Sequence, residues 1–272
     1  MEQALGLIEA FFKRTAGERR DTVEVMADLS RGYLDLDLKP AALRTLEHAS
    51  TLARGLPIPP APSLPRTPPI PGRADEPFAT PQDTAWFRRC TTQQDQVEAL
   101  ARIAAVLEWA GEDARAGPLS RRAIEQISEI GCDDWRGYAW EALVRAYLDA
   151  KLPERALDLV LANQGSGADQ DGAWTDVLDA LPSKLRLERL PKILESGAPA
   201  HRKVELLAGL GTELERTGKH EDARRRVTEA LALIAHLPKG KDALLELLAH
   251  ELSFADRKPN AEQAELLRRI RR

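Results

Sequence analysis

The sequence predicts an all-α protein, a stack of about six antiparallel helix pairs. Three observations carry that expectation. Apolar residues recur at spacings of three, four and seven through most of the chain, as in helices with one buried stripe. Aromatic residues make up only 5% of the 272 residues, while Ala, Leu, Glu and Arg are abundant, which favours helix over sheet. Small alanines also return at related intervals, with Ala42, Ala116, Ala156 and Ala223 separated by 74, 40 and 67 residues.

Taken in order, residues 1–21 form an N-terminal capping helix with Leu5, Ile8 and Phe12 on one side, covering the open end of the stack. Residues 22–55 make a first pair, in which Met26, Leu29 and Tyr33 stripe one helix and Ala42, Leu46 and Ala49 the other. Residues 56–95 are a proline-rich insertion that opens LPIPPAPSLPRTPPIPGRADEPFATP and carries a short helix over Thr84–Cys90. Prolines at that density exclude helix and central strand and favour extended polyproline-II chain. Residues 96–272 hold the remaining pairs and a C-terminal cap. The unit around Trp174 is degenerate, lacking the small Ala and carrying Pro182 and Pro191. The chain ends in the basic stretch Arg268-Arg269-Ile270-Arg271-Arg272, read as cations at the negative end of a helix dipole.

The most telling unit is Trp140 to Ala162, where Trp140, Leu143, Tyr147, Ala156 and Val160 are joined across Lys151-Leu152-Pro153. Met26, Leu29, Tyr33, Ala42 and Leu46 repeat those gaps, and Leu207, Leu210, Gly211, Leu214, Ala223 and Val227 repeat the pattern with its glycines. This resembles the tetratricopeptide repeat, whose signature runs W-x2-L-G-x2-Y and then Ala and a large apolar residue. Val144 stands where that family prefers Gly. A repeat of about 34 residues accounts for 67 as two units, 40 as one lengthened unit and 74 as one unit plus the insertion.

The resemblance implies a right-handed superhelix whose first helices line a concave binding face, with the packing aromatics Trp140 and Tyr147 in the core. The candidate partner-binding residues are then Arg31, Asp35, Arg102, Trp109, Tyr138, Glu141, Arg145 and Asp149, with Asp28 and Glu108 beside them and Asp176, Asp179, Ala208, Thr212 and Glu215 farther along. The arginines are expected to clamp a carboxylate or peptide backbone through their planar forks, and Trp109 and Tyr138 to anchor the interface. The Lys and Asn set with which some members hold a chaperone tail is absent. Pro68, Pro71 and Arg73 have the P-x-x-P-x-R spacing of a polyproline-II ligand.

Other function classes find little support. Lys and Arg number 39 against 43 acidic residues, so no global field draws the chain to nucleic acid or membrane. Cys90 and Cys132 lie far apart without metal-ligand spacing and are expected as reduced thiols. The N-terminus lacks the basic start and cleavage site of a signal peptide, and no run reaches the length of a membrane span, so the expected location is cytoplasmic. The five histidines are scattered, Asp169-Gln170-Asp171-Gly172 has part of a calcium loop but lacks its flanking ligands and terminal Glu and is read as a flexible linker, and no phosphate-binding or nucleophile motif occurs. No catalytic residue, metal or cofactor is expected. The reading is a non-catalytic scaffold or adaptor that binds a peptide or helix of another protein. The alternatives are a helical-repeat RNA binder, a homo-oligomeric structural subunit and a regulatory domain acting on an enzyme encoded elsewhere.

Overall fold

The computed structural model describes residues 19–55, 81–162, 171–237, 239–251 and 261–270. Among the described residues there are twelve helices and no strands. They are α1 (Arg19–Asp35), α2 (Lys39–Arg54), α3 (Pro81–Trp109), α4 (Asp113–Glu129), α5 (Asp133–Asp149), α6 (Pro153–Ala162), α7 (Asp171–Ala180), α8 (Ser183–Glu195), α9 (Ala200–Arg216), α10 (His220–His236), α11 (Lys241–Glu251) and α12 (Ala261–Ile270). The expected capping helix and the polyproline candidates Pro68, Pro71 and Arg73 lie outside the described residues. No described helix is long and apolar enough to cross a membrane.

One turn recurs four times. Asp37, Gly111, Lys151 and Gly218 each take a positive φ, between 57° and 78°. Around each, two backbone bonds close the preceding helix. The N–H of Leu38, Glu112, Leu152 and Lys219 reaches back to the carbonyl of Tyr33, Leu107, Tyr147 and Leu214, at 2.7–2.9 Å. The N–H of the left-handed residue itself bonds the carbonyl three earlier. This pair of hydrogen bonds satisfies helix-end carbonyls that would otherwise be orphaned. Five residues past each left-handed residue comes a small alanine, Ala42, Ala116, Ala156 or Ala223, none more than 4% exposed. Twelve residues before each alanine, Ser30, Ala104, Val144 and Gly211 hold the same register on the first helix, all buried. At Gly211 the second helix lies at ordinary contact distance, since an added Cβ would be 3.5 Å from Val227 Cγ2 and 3.6 Å from the Ala223 carbonyl oxygen.

The chain divides into two compact units, 1–156 and 157–272. In the first, α3 is central and packs on α1, α2, α4 and α5, with α1 paired to α2 and α4 also touching α5. The first helices of the pairs, α1, α3 and α5, therefore lie side by side. Trp140 and Tyr147 are buried as expected. Burial pushes the Tyr147 phenol above its ordinary pKa, and its hydroxyl sits beside Ser120 and Glu108 without completing a well-formed hydrogen bond.

Three features of this unit differ from the sequence expectation. The short helix expected over Thr84–Cys90 and the helix expected from Val97 are one continuous 29-residue α3, so the expected boundary at 95/96 falls inside a helix. Apolar periodicity lapses at 91–96, TTQQDQ, but polar residues there are buried and bonded instead. Gln126 Nε2 donates to Gln96 Oε1 at 2.6 Å, and Gln96 Nε2 donates to the Ala53 carbonyl at 3.3 Å, linking α2, α3 and α4. The second difference concerns the cysteines, which are joined as a disulfide between α3 and the residue before α5, with Cα atoms 6.4 Å apart. No spacing rule joins cysteines 42 positions apart; only the antiparallel return of α4 brings them together. The third is Glu108, expected on the concave face. Its carboxylate accepts from Arg155 on α6.

In the second unit, α9 packs on α7, α8, α10 and α11, and α10 on α11 and α12. Pro191 does not interrupt α8, which runs from Ser183 through it to Glu195. In the last pair the apolar spacing predicts a stripe through Leu245, Leu248, Ala249 and Ala261, but Leu244 and Leu248 are buried and Ala249 and Ala261 are exposed. Gln263 is buried there, its Nε2 donating to the Arg224 carbonyl and to Thr228 Oγ1, both at 3.3 Å.

Candidate functional site

The 3.6-residue period places Ala27, Asp28 and Arg31 on one face of α1, Gln94, Glu98, Arg102 and Val106 on one face of α3, and Tyr138, Glu141, Ala142, Arg145, Ala146 and Asp149 on one face of α5. Because α1, α3 and α5 lie side by side, these faces adjoin. They line two neighbouring hollows of about 250 and 240 Å³ that share Arg102, Ala146 and Asp149. Alanines 27, 142, 146 and 150 keep the floor low, and charged side chains stand around it.

Six of the eight sequence candidates meet here: Arg31, Arg102, Tyr138, Glu141, Arg145 and Asp149. Asp35, exposed at the end of α1, and Trp109, half-buried as the last residue of α3, line neither hollow. Gln94, Glu98 and Glu24 escaped the sequence reading. Gln94 falls in the proline-rich stretch, where no apolar period marks a helix, and Glu98 lies at the edge of the helix that the period starts at Val97.

The geometry alters what the arginines can do. Arg102 Nη2 lies 3.0 Å from Glu24 Oε1 on α1 and 3.2 Å from Glu98 Oε1 one turn back on α3. It is a bridge between neighbouring first helices. Arg31 Nη1 donates to the Asp149 carbonyl oxygen at 3.1 Å, closing the C-terminal end of α5. Arg145 is engaged as well. By contrast, no described cation pairs with the carboxylates of Asp28, Glu141 or Asp149. The hollows therefore hold three arginines that are engaged within the chain beside three carboxylates that no described cation pairs with. Tyr138 is 52% exposed at one end of the groove, with Trp135 edge-on to its ring at 5.8 Å between centroids.

A second polar cluster lies within the other unit. Both oxygens of Asp171, the first residue of α7, are held by Arg202 of α9, at 2.8 and 3.1 Å. His201 Nε2 stands 2.9 Å from Asp171 Oδ1, and Arg202 Nη1 donates to Glu205 at 2.7 Å. The guanidinium bonds hold the Asp171 carboxyl below its usual pKa. The same bonds push the Arg202 pKa further up. Next to them, Lys203 Nζ donates to the carbonyls of Leu194 and Ser196 at 2.8 and 2.7 Å, and burial lowers its pKa. With its oxygens and donors engaged on one another, this cluster fastens the start of α7 and the end of α8 to α9. Asp171 is thus an ion-paired helix residue rather than part of a loose linker.

Among the described residues, no group of three or more His, Cys, Asp or Glu is placed to hold a metal. Compared with protein-family models, curated proteins and solved structures, the chain matches none, so the tetratricopeptide likeness rests on its own residues and turns.

Proposed function

We propose that the face formed by α1, α3 and α5 binds a segment of another protein, peptide or helix, without catalysis, and that this segment carries Lys or Arg. The observation that carries the reading is the division of charge in the groove. Arg31, Arg102 and Arg145 are each engaged within the chain, whereas the carboxylates of Asp28, Glu141 and Asp149 line the hollows with no described cation paired to them. The low alanine floor admits close approach of a backbone or small side chains. The exposed ring of Tyr138 adds a surface on which a cation gains about 0.5–1 kcal/mol. Stacking of all the pairs into one superhelix belongs to the same proposal. So does the role of scaffold or adaptor.

The test is fluorescence polarisation with two labelled peptide pools of equal length, one rich in Lys and Arg and one with Glu in their place. The basic pool is expected to bind and to weaken with salt, since the attraction between exposed charges is screened. Asp28→Asn, Glu141→Gln and Asp149→Asn together are expected to weaken binding about tenfold, the loss of roughly 1.4 kcal/mol. Equal binding of the acidic pool, or no effect of the triple substitution, overturns the reading. A labelled single-stranded RNA that binds more tightly than the basic pool would favour the nucleic-acid alternative.

A further inference from the structure

The corner between α4 and α5 is held by a single stripe of α3. At positions 86, 90 and 93, spaced by four and three, Trp86, Cys90 and Gln93 all turn toward residues 129–132. The Trp86 ring occupies the space above Gly131, where an added Cβ would lie 2.7 and 2.8 Å from two ring carbons. Cys90 is bonded to Cys132. Gln93 Nε2 reaches the Glu129 carbonyl at 3.4 Å, at the end of α4. Residues 81–92 of α3 extend past the last residue of α4 in the antiparallel pair, an overhang of roughly 18 Å at 1.5 Å per residue. Cys132 directly precedes α5, and Trp135 and Tyr138 lie in the first two turns of that helix. The bridge therefore joins the overhang to the base of the groove's aromatic end.

We propose that the Cys90–Cys132 disulfide is a redox latch that sets the position of the first turns of α5, and with them the Trp135–Tyr138 end of the groove. The proposal rests on the groove reading for its effect on a ligand, but not for its effect on the helix. Cys90 is 1% exposed, whereas Cys132 is partly exposed, which puts the attack on the Cys132 side of the bridge. A small dithiol opens the latch by thiol–disulfide exchange. Its thiolate attacks Cys132 Sγ, the bond to Cys90 breaks, and Cys90 leaves as thiolate and takes up a proton. The second thiol of the reductant then closes on the mixed disulfide, releasing Cys132 as a thiol and the reductant as a cyclic disulfide. Two electrons and two protons pass to the cysteine pair.

The full chain is first equilibrated with oxidised glutathione, alkylated without reduction, and weighed. No alkylation is expected, and two additions are expected after dithiothreitol. Amide hydrogen exchange is then compared in the two states, with the Cys90→Ala, Cys132→Ala double variant as a third sample. Reduction is expected to lower protection of residues 131–141 at least tenfold while α9 and α10 keep theirs, and reoxidation to restore it. The double variant is expected to match the reduced protein in either buffer. Basic-peptide affinity is expected to fall about tenfold on reduction. Two alkylated thiols in the oxidised sample overturn the latch, as do unchanged protection at 131–141 and an equal loss of protection throughout the chain. If the peptide binds neither state while protection at 131–141 still responds, the groove reading fails and the latch stands.

Discussion

The indole of Trp86 and the α-carbon of Gly131 are in such close register that no Cβ fits between them, since the nearest ring carbon would be 2.7 Å away. Helix α3 is thereby locked at one point to the connection between α4 and α5. Gly131→Ala is expected to force the ring aside and cost about 1–3 kcal/mol, the usual penalty of overpacking. Urea denaturation followed by tryptophan fluorescence measures it. A midpoint equal to that of the parent would show that the ring yields freely.

The repeated left-handed turn predicts opposite outcomes at two equivalent positions. Lys151 holds φ at 61° and Gly218 at 78°. A side chain at positive φ is strained, while glycine is not, although glycine loses more chain entropy on folding. Lys151→Gly is therefore expected to stabilise by about 0.5–1 kcal/mol and Gly218→Ala to destabilise by about 1–2 kcal/mol. Thermal melts of the two variants decide it. The same sign for both would refute the equivalence of the turns.

Gly211 offers a contrasting case. Its φ is not in the left-handed region, and an added methyl would meet neighbours at ordinary contact distances of 3.5–3.8 Å. Gly211→Ala is expected to stabilise by about 0.5–1 kcal/mol through helix propensity. A lowered melting temperature would mean that the α9–α10 crossing cannot accept even one carbon.

The glutamine pair inside the first unit should behave as a coupled unit. Gln96→Leu leaves Gln126 without its acceptor, and Gln126→Leu leaves Gln96 Oε1 without its donor. Each is expected to cost about 1–3 kcal/mol, the penalty of an unsatisfied buried amide. The double substitution is expected to cost less than the two together, by about 1 kcal/mol or more. Additive losses in a denaturation cycle would show that the two side chains act separately.

The Asp171–Arg202 pair predicts how the second unit responds to acid. The Asp171 carboxyl is held below its unfolded pKa, so its contribution is present above about pH 4 and disappears as pH falls through the lowered folded value. Asp171→Asn is therefore expected to be less stable than the parent at pH 7. It should also lose less melting temperature between pH 5 and 2. Parallel curves over that range would remove the pair from the acid response.

The helices and their pairing were largely legible in the chain. The stripe of Met26, Leu29 and Tyr33, its copies at Trp140–Tyr147 and Leu207–Leu214, and the small alanines after each turn are local regularities. Helix period and capping chemistry act within a dozen residues, so they can be read without knowing where the chain goes next. The groove residues Arg31, Arg102, Tyr138, Glu141, Arg145 and Asp149 were legible for the same reason, being the positions left over when the packing stripe is assigned.

What those residues are free to do was decided elsewhere. Arg102 is neutralised by Glu24 from another helix, and Arg31 is engaged by a carbonyl 118 positions away. Cys90 meets Cys132, Gln96 meets Gln126, and Trp86 covers Gly131, each through the return of α4 along α3. Amphipathic period sets which side of a helix faces inward and leaves the partner unspecified. The sequence by itself therefore determined the helices, their turns and the face that would be exposed. The tertiary structure decided which of those side chains are held by others, because a side chain is engaged according to which neighbour packing brings within hydrogen-bond reach.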